Sequence, residues 1–255
     1  MIPLKVAGAS AVSVVVLGGG GYLVYDNLID TYIRTLDTTG YGNDTFGKKY
    51  GRYLLDPNSY KNKGRWSKEY DSWRVYKTQS TNSLSSEFQD DTKVDKSYSN
   101  SQEERALNRV CEVAFKAQVT EVENSSKSNY DDNVWMFCSL LDAKPVFINQ
   151  SDAEYSGKLG QVVTYKDKAM SSKKPTGTND TNASFWDLRN KEFFELGWGS
   201  NAANDSIFKT LYDQRGSLTD KENNNVRKKC EEAYKKDTNS PEKDDIKKFC
   251  YLIPE

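Results

Sequence analysis

The sequence predicts a mainly α protein, with an N-terminal transmembrane helix followed by two duplicated, disulfide-stapled helical modules. Three observations carry that expectation. Residues 6–25 contain no charged side chain. A Cys-Glu-x-Ala-aromatic-Lys pattern occurs twice, at Cys111–Lys116 and Cys230–Lys235. Apolar residues around each copy recur at the three- and four-residue spacing of an amphipathic helix.

At a rise of 1.5 Å per residue, a helix over Val6 to Tyr25 spans ~30 Å, the hydrocarbon thickness of a bilayer. Val12 to Leu17 form its apolar centre, and Gly18 to Gly21 follow. Tyr22 and Tyr25 then fall where interfacial aromatics are favoured. Lys5 precedes the run while Asp26 and Asp30 follow it, so the positive-inside bias keeps the N-terminus cytoplasmic and places the rest outside the cell. The expected order is residues 1–25 as a single-pass signal anchor in membrane lipid, 26–60 as a membrane-proximal segment, 61–148 as the first module, 149–182 as a linker and 183–255 as the second module. The alternative is secretion after cleavage of a signal peptide near Gly18 and Gly20. No Gly-Lys-Ser/Thr follows the glycines, so they are not a phosphate loop.

Beyond residue 25, Ile, Leu, Val and Phe make up only about 18% of the chain, a level at which strongly charged sequences stay disordered. Here 36 Lys+Arg balance 37 Asp+Glu, and 16 Tyr with five Trp supply apolar area. A thin aromatic core gains from covalent staples. All four cysteines lie in the exported part, where an even number reads as disulfides. Free thiols are the alternative if the orientation is reversed.

Each module ends in a helical hairpin. In the first, Leu107, Val110, Cys111, Ala114 and Phe115 share one helix face, with Ser101 and Glu104 spaced as a capping box. Its partner carries Tyr130, Val134, Phe137, Cys138 and Leu141 after a polar turn near residues 124–129. In the second, Val226, Cys230, Ala233 and Tyr234 share a face after a Thr219/Glu222 box, and Ser240-Pro241 opens the helix with Ile246, Phe249 and Cys250. Packing these faces favours Cys111 with Cys138 and Cys230 with Cys250, although three connectivities are formally open. Earlier helices are expected over 65–78, 184–196 and 204–215, with Trp73 and Trp186 in corresponding places, and a short strand over Gln161 to Tyr165.

The chain has no histidine, which removes Ser/His and Cys/His nucleophile pairs, imidazole metal ligands and the commonest general base. The net charge of −1 argues against nucleic acid as a partner. Gly197-Trp198-Gly199-Ser200-Asn201-Ala202 fits a dinucleotide fingerprint, but no βαβ unit surrounds it, and a helix-ending Gly turn is the better reading. The pairs Glu103-Glu104, Asp131-Asp132 and Asp244-Asp245 sit near helix starts, where acids complement the dipole. Ser171-x-x-Lys174 and Ser240-x-x-Lys243 lie in polar turns, and the Asn-x-Ser/Thr sequons at Asn43, Asn124, Asn149, Asn179, Asn182 and Asn204 read as chance in an Asn-rich chain. The expectation is therefore a non-enzyme with no catalytic, cofactor or metal residues; its site residues are Cys111, Cys138, Cys230 and Cys250.

The Lys-then-Ala/Gly/Val run ending in Gly18 to Gly21, Trp73 and Trp186 heading each half, the paired cysteines, and the closing Lys228-Lys229-Cys230-Glu231-Glu232-Ala233 and Lys247-Lys248-Phe249-Cys250 resemble the expanded paralogous families of haemotropic mycoplasmas. Those families often carry tryptophan directly before the second cysteine, where this chain has Phe137 and Phe249. The resemblance implies a membrane-anchored surface protein facing the host, with a host-cell surface protein or an antibody as partner. A scaffold subunit of a membrane complex and a Ser/Lys or carboxylate hydrolase are the alternatives.

Overall fold

The computed structural model describes residues 14–16, 22–26, 31–80, 83–101, 105–174, 180–218, 220 and 224–255. They are mainly helical and divide into two units, Met1–Lys144 and Pro145–Glu255. The first begins with strands β1 (Val14–Val16), β2 (Tyr22–Asp26) and β3 (Thr31–Arg34), paired antiparallel in that order. The described part of the expected transmembrane helix is thus extended rather than helical; residues 6–13 and 17–21 lie outside the described residues. Three consecutive β-branched valines favour a strand, and pairing satisfies their backbone without a helix. Among the described residues no helix is long and apolar enough to cross a membrane.

Among the described residues the first unit continues with five α-helices: α1 (Phe46–Tyr50), α2 (Lys63–Gln79), α3 (Leu107–Lys116), α4 (Val119–Glu123) and α5 (Tyr130–Cys138). Three short extended segments run between them. Leu36 N–H donates to the Leu54 carbonyl at 2.9 Å, Leu55 N–H to Cys138 at 3.0 Å and Leu140 N–H to Tyr53 at 2.8 Å, so residues 53–55 form the middle rung. Asn62, fully buried, braces one edge. Its carboxamide accepts from Arg34 N–H at 2.7 Å and donates to the Arg34 and Asp56 carbonyls at 2.7 and 2.9 Å. One helical turn later, the Trp66 indole N–H donates to the same Asp56 carbonyl.

The second unit contains α6 (Ala183–Phe194), α7 (Ile207–Asp213), α8 (Val226–Tyr234) and α9 (Glu242–Asp245), the last running into a π turn over Ile246–Cys250. It repeats the same hydrogen-bond framework. Ile148 N–H donates to Ala169, Met170 N–H to Cys250 and Leu252 N–H to Lys168, all within 2.8–2.9 Å. Asn182 accepts from Val146 N–H and donates to the Val146 and Ser171 carbonyls, and the Trp186 indole N–H meets that Ser171 carbonyl. The correspondence corrects the expected one: Trp186 matches Trp66, and Phe193 stands where Trp73 does. The second edge repeats too, since Phe46 N–H reaches Ala117 and Leu159 N–H reaches Lys236, both at 2.9 Å.

Two stretches expected outside the modules therefore belong to these units. Residues 33–60 supply the buried Leu36, Tyr53, Leu54 and Leu55, and residues 149–182 supply Tyr155, Leu159, Tyr165 and Met170. The expected strand over Gln161 to Tyr165 is instead two single 3₁₀ turns, Leu159–Gln161 and Val163–Tyr165. Such turns are too short to show a period, which is why polar composition alone marked this region as linker.

Both disulfides pair as the helix faces favoured, Cys111 with Cys138 and Cys230 with Cys250, with Cα separations of 5.6 and 5.8 Å. All four sulfur-bearing residues are fully buried. Aromatic side chains fill the cores around them, and several have their polar atom satisfied by a backbone carbonyl. The Trp73 indole donates to Phe88 at 2.7 Å, and the Tyr234 hydroxyl to Met170 at 2.9 Å. Three helix starts differ from expectation: α9 begins at Glu242 with Pro241 as its N-cap and no side-chain cap, rather than with Ser240 as cap and Pro241 as first residue. Ala106 precedes α3 without a side-chain cap, leaving Ser101 hydrogen-bonded to Ser99, while Glu104 lies outside the described residues. Asn225 caps α8 by accepting from Lys228 N–H; Thr219 and Glu222 lie outside the described residues.

Candidate functional site

In each unit the turn after the first extended segment faces the first-cysteine helix. In the first unit, Asp37 Oδ1 accepts from Thr39 N–H and the chain continues through Gly40, Tyr41 and Gly42. Gly40 has φ +88°, a left-handed conformation that glycine adopts without steric cost. Between this turn and α3 opens a cleft of about 380 Å³, lined by Thr39, Gly40, Tyr41, Gly42, Thr45, Asn58, Glu112 and Lys116.

Glu112 forms the floor. It is buried, yet takes Arg109 Nη1 at 2.6 Å and Lys116 Nζ at 2.8 Å. Burial acts to raise its carboxyl, but the bonds from Lys116 and Arg109 win and hold it below its ordinary value. Asn58 completes the floor, accepting from Arg109 at 2.6 Å. Tyr41 forms a wall. Burial first, then the charges of Glu112 and Asp56, push its phenol well above the ordinary value. Among the described residues its hydroxyl has no hydrogen-bond partner.

The second unit fills the equivalent place. The matching turn is made by Asn149 Oδ1 accepting from Ser151 N–H, and it leads to Asp152 and Glu154 rather than to glycines. Asn108 donates to the Pro57 carbonyl and Arg227 to Ser172 in the same way, so Lys173 stands where Asn58 does. Lys173 Nζ meets Asp152 and Glu154, each at 2.6 Å, while Lys235 joins Glu154 to Glu231. Hydrogen bonds to the two carboxylates raise the Lys173 ammonium above its ordinary value and lower Glu154. One edge of the fold is therefore an open polar cleft in the first unit and a closed ion network in the second.

The residues singled out in the sequence serve structure. Gly197, at φ +76°, opens the 3₁₀ turn Trp198–Asn201 two residues past the C-cap of α6, and the missing Cβ of Gly199 makes room for Phe193 and Tyr212. Asp131 is buried against Lys144 at 2.9 Å, and Asp245 accepts from Ala203 N–H. Asp244 pairs with Lys247, while Glu103-Glu104 lies outside the described residues. Ser171 accepts from Lys173 N–H, and Ser240 donates to Glu242. Of the sequons, Asn182 is buried in the framework and Asn179 is not among the described residues. No group of three or more Cys, Asp or Glu among the described residues is arranged to hold a metal ion. Comparison with family models, curated proteins and solved structures finds no match to this chain.

Proposed function

We propose that this is a membrane-anchored, surface-exposed protein displaying two copies of one disulfide-stapled helical module for contact with a host, as in the haemotropic mycoplasma families it resembles. The observation that carries this reading is the pair of fully buried disulfides, one in each unit. Such bonds persist in oxidising surroundings outside the cytosol and are rare in reducing ones. The uncharged run of residues 6–25 gives the means of attachment, with lipid as its partner and the N-terminus inside.

Protease added to intact cells displaying the protein tests the topology, and an N-terminal stub with loss of everything beyond about residue 30 is expected. Protection of both units overturns it. Oxidised protein titrated onto red cells and host-membrane extract tests the contact, with a reduced and alkylated sample as control. Saturable binding lost on reduction supports a folded recognition module; absence of saturable binding to any host fraction favours a scaffold role in a membrane complex.

A further inference from the structure

We propose that the cleft between Gly40–Gly42 and α3 in the first unit binds one uncharged, hydroxyl-rich ligand, namely a neutral sugar residue of a glycan. The inference rests on the surface-contact reading and names the chemistry of that contact. Its starting point is the contrast between the two units. In the second, Lys173, Asp152 and Glu154 close the edge of the fold with ion pairs internal to the protein. In the first, Asn58 replaces the lysine and Gly40-Tyr41-Gly42 replaces the acidic turn, leaving about 380 Å³ open. That volume falls in the range of small-molecule sites, roughly 300–1,000 Å³.

The electrostatics select the ligand class. A cation would have to displace Arg109 or Lys116 from Glu112, to which both are bonded within 2.8 Å. An anion would meet the carboxylates of Glu112, Asp56 and Asp37, which together with burial disfavour ionisation of Tyr41 against the opposing charge of Arg109, and the two cations nearest the cleft, Arg109 and Lys116, are already bonded to Glu112. An uncharged polyol meets neither obstacle. The Tyr41 hydroxyl is an unused donor and acceptor at the wall, the Asn58 carboxamide on the floor keeps one N–H beyond its bonds to Arg109 and Glu112, the Thr39 hydroxyl adds capacity, and the Tyr41 ring supplies apolar lining for the C–H surface of a pyranose. Mixed hydrogen bonding beside one aromatic ring is the complement of a sugar.

The test uses the full-length oxidised protein in a zwitterionic, sugar-free detergent. Glucose, galactose, mannose, N-acetylglucosamine and lactose are titrated by saturation-transfer NMR, with sialyllactose as the charged comparison. Saturable binding of at least one neutral sugar is expected, weakened about 3- to 12-fold in Tyr41→Phe by loss of one hydrogen bond. Asn58→Lys installs the second unit's ammonium beside Glu112 and is expected to abolish binding, while Lys173→Asn leaves it unchanged. Near-UV circular dichroism establishes that each variant is folded, and Tyr41→Phe removes a single oxygen should Asn58→Lys fail to fold. The proposal is overturned if no neutral sugar saturates below about 10 mM, or if Tyr41→Phe and a folded Asn58→Lys both bind as the parent does. Binding to red cells that persists when every sugar fails sinks this inference and leaves the surface-contact reading standing. Sugar binding without any cell binding does the reverse.

Discussion

Replacing Asn62 by Ala is expected to destabilise the first unit by about 3 kcal/mol and to leave the second almost untouched. Three short hydrogen bonds are lost, of 2.7, 2.7 and 2.9 Å. They are not equal in consequence. The Arg34 carbonyl still accepts from Asp56 N–H, and the Asp56 carbonyl still accepts from the Trp66 indole. Arg34 N–H loses its partner. Orphaning one part-buried amide costs ~1–3 kcal/mol, the other two bonds contribute about 0.5–1 kcal/mol each, and the vacated carboxamide leaves a small void. Asn62→Asp keeps the shape but turns two donors into acceptors facing carbonyls, so it should be at least as damaging. Hydrogen exchange of the oxidised full-length protein reads this locally. Slowly exchanging amides in residues 34–55 should exchange about 100-fold faster, since each 1.4 kcal/mol is tenfold, while residues 146–170 keep their protection. A loss below about 1 kcal/mol for Ala, or a harmless Asp, would refute the claim that polarity rather than volume holds this position.

Three further outcomes follow from the same geometry. Cys138→Ala should lower stability by ~3–4 kcal/mol in the loop-entropy account of a bridge spanning 27 positions, with Cys250→Ala, spanning 20, slightly milder, as measured by urea unfolding; equal stability of oxidised and reduced protein would contradict it. Gly47→Ala places a methyl 2.8 Å from both the Phe115 carbonyl oxygen and the Tyr41 ring and should cost ~1–3 kcal/mol, whereas Gly42→Ala meets only the Thr45 methyl at 3.6 Å and should be neutral. Glu112 titrates lower folded than unfolded, so its stabilisation is present above the ordinary value of 4.5 and is lost as pH falls through the depressed one. The urea midpoint between pH 5 and pH 2 should accordingly fall less steeply in Glu112→Gln, and identical slopes would remove the coupling.

The helical hairpins and their disulfides were legible because nine- and ten-residue helices are long enough to show a period, and their cysteines fall on the apolar face. The framework they pack on was not. Its rungs, such as residues 34–36, 53–55 and 138–140, are too short to display alternation. Asn62 and Asn182 look like surface asparagines among many others, and only the recurrence of Asn-x-x-x-Trp at Asn62–Trp66 and Asn182–Trp186 signals them. The cleft left still less trace. Glu112 reads as one more helix acid, and its neighbour Tyr41 is far away in the chain.

Why the asparagines recur while the buried charges of α2 and α6 do not follows from what each one faces. An Asn facing backbone N–H and C=O groups answers a polarity that no substitution elsewhere can change. A charged side chain facing another side chain is free to move if its partner moves too. On α2, Arg65 pairs with Glu69 at 2.7 Å and reaches Asp142, just past the second cysteine. On α6 the position matching Glu69 is Arg189, of opposite charge and equally buried, and the position matching Arg65 is Phe185. Arg189 nonetheless pairs with Glu192 at 2.8 Å and donates to the Tyr251 and Leu252 carbonyls, again just past the second cysteine. Both units thus bring a buried arginine–glutamate pair to the same exit of the fold from different helix positions. A sequence comparison by matched residues misses this equivalence, because the pair is retained as a unit while both members have moved one turn along the helix, Glu192 standing where Ser72 does.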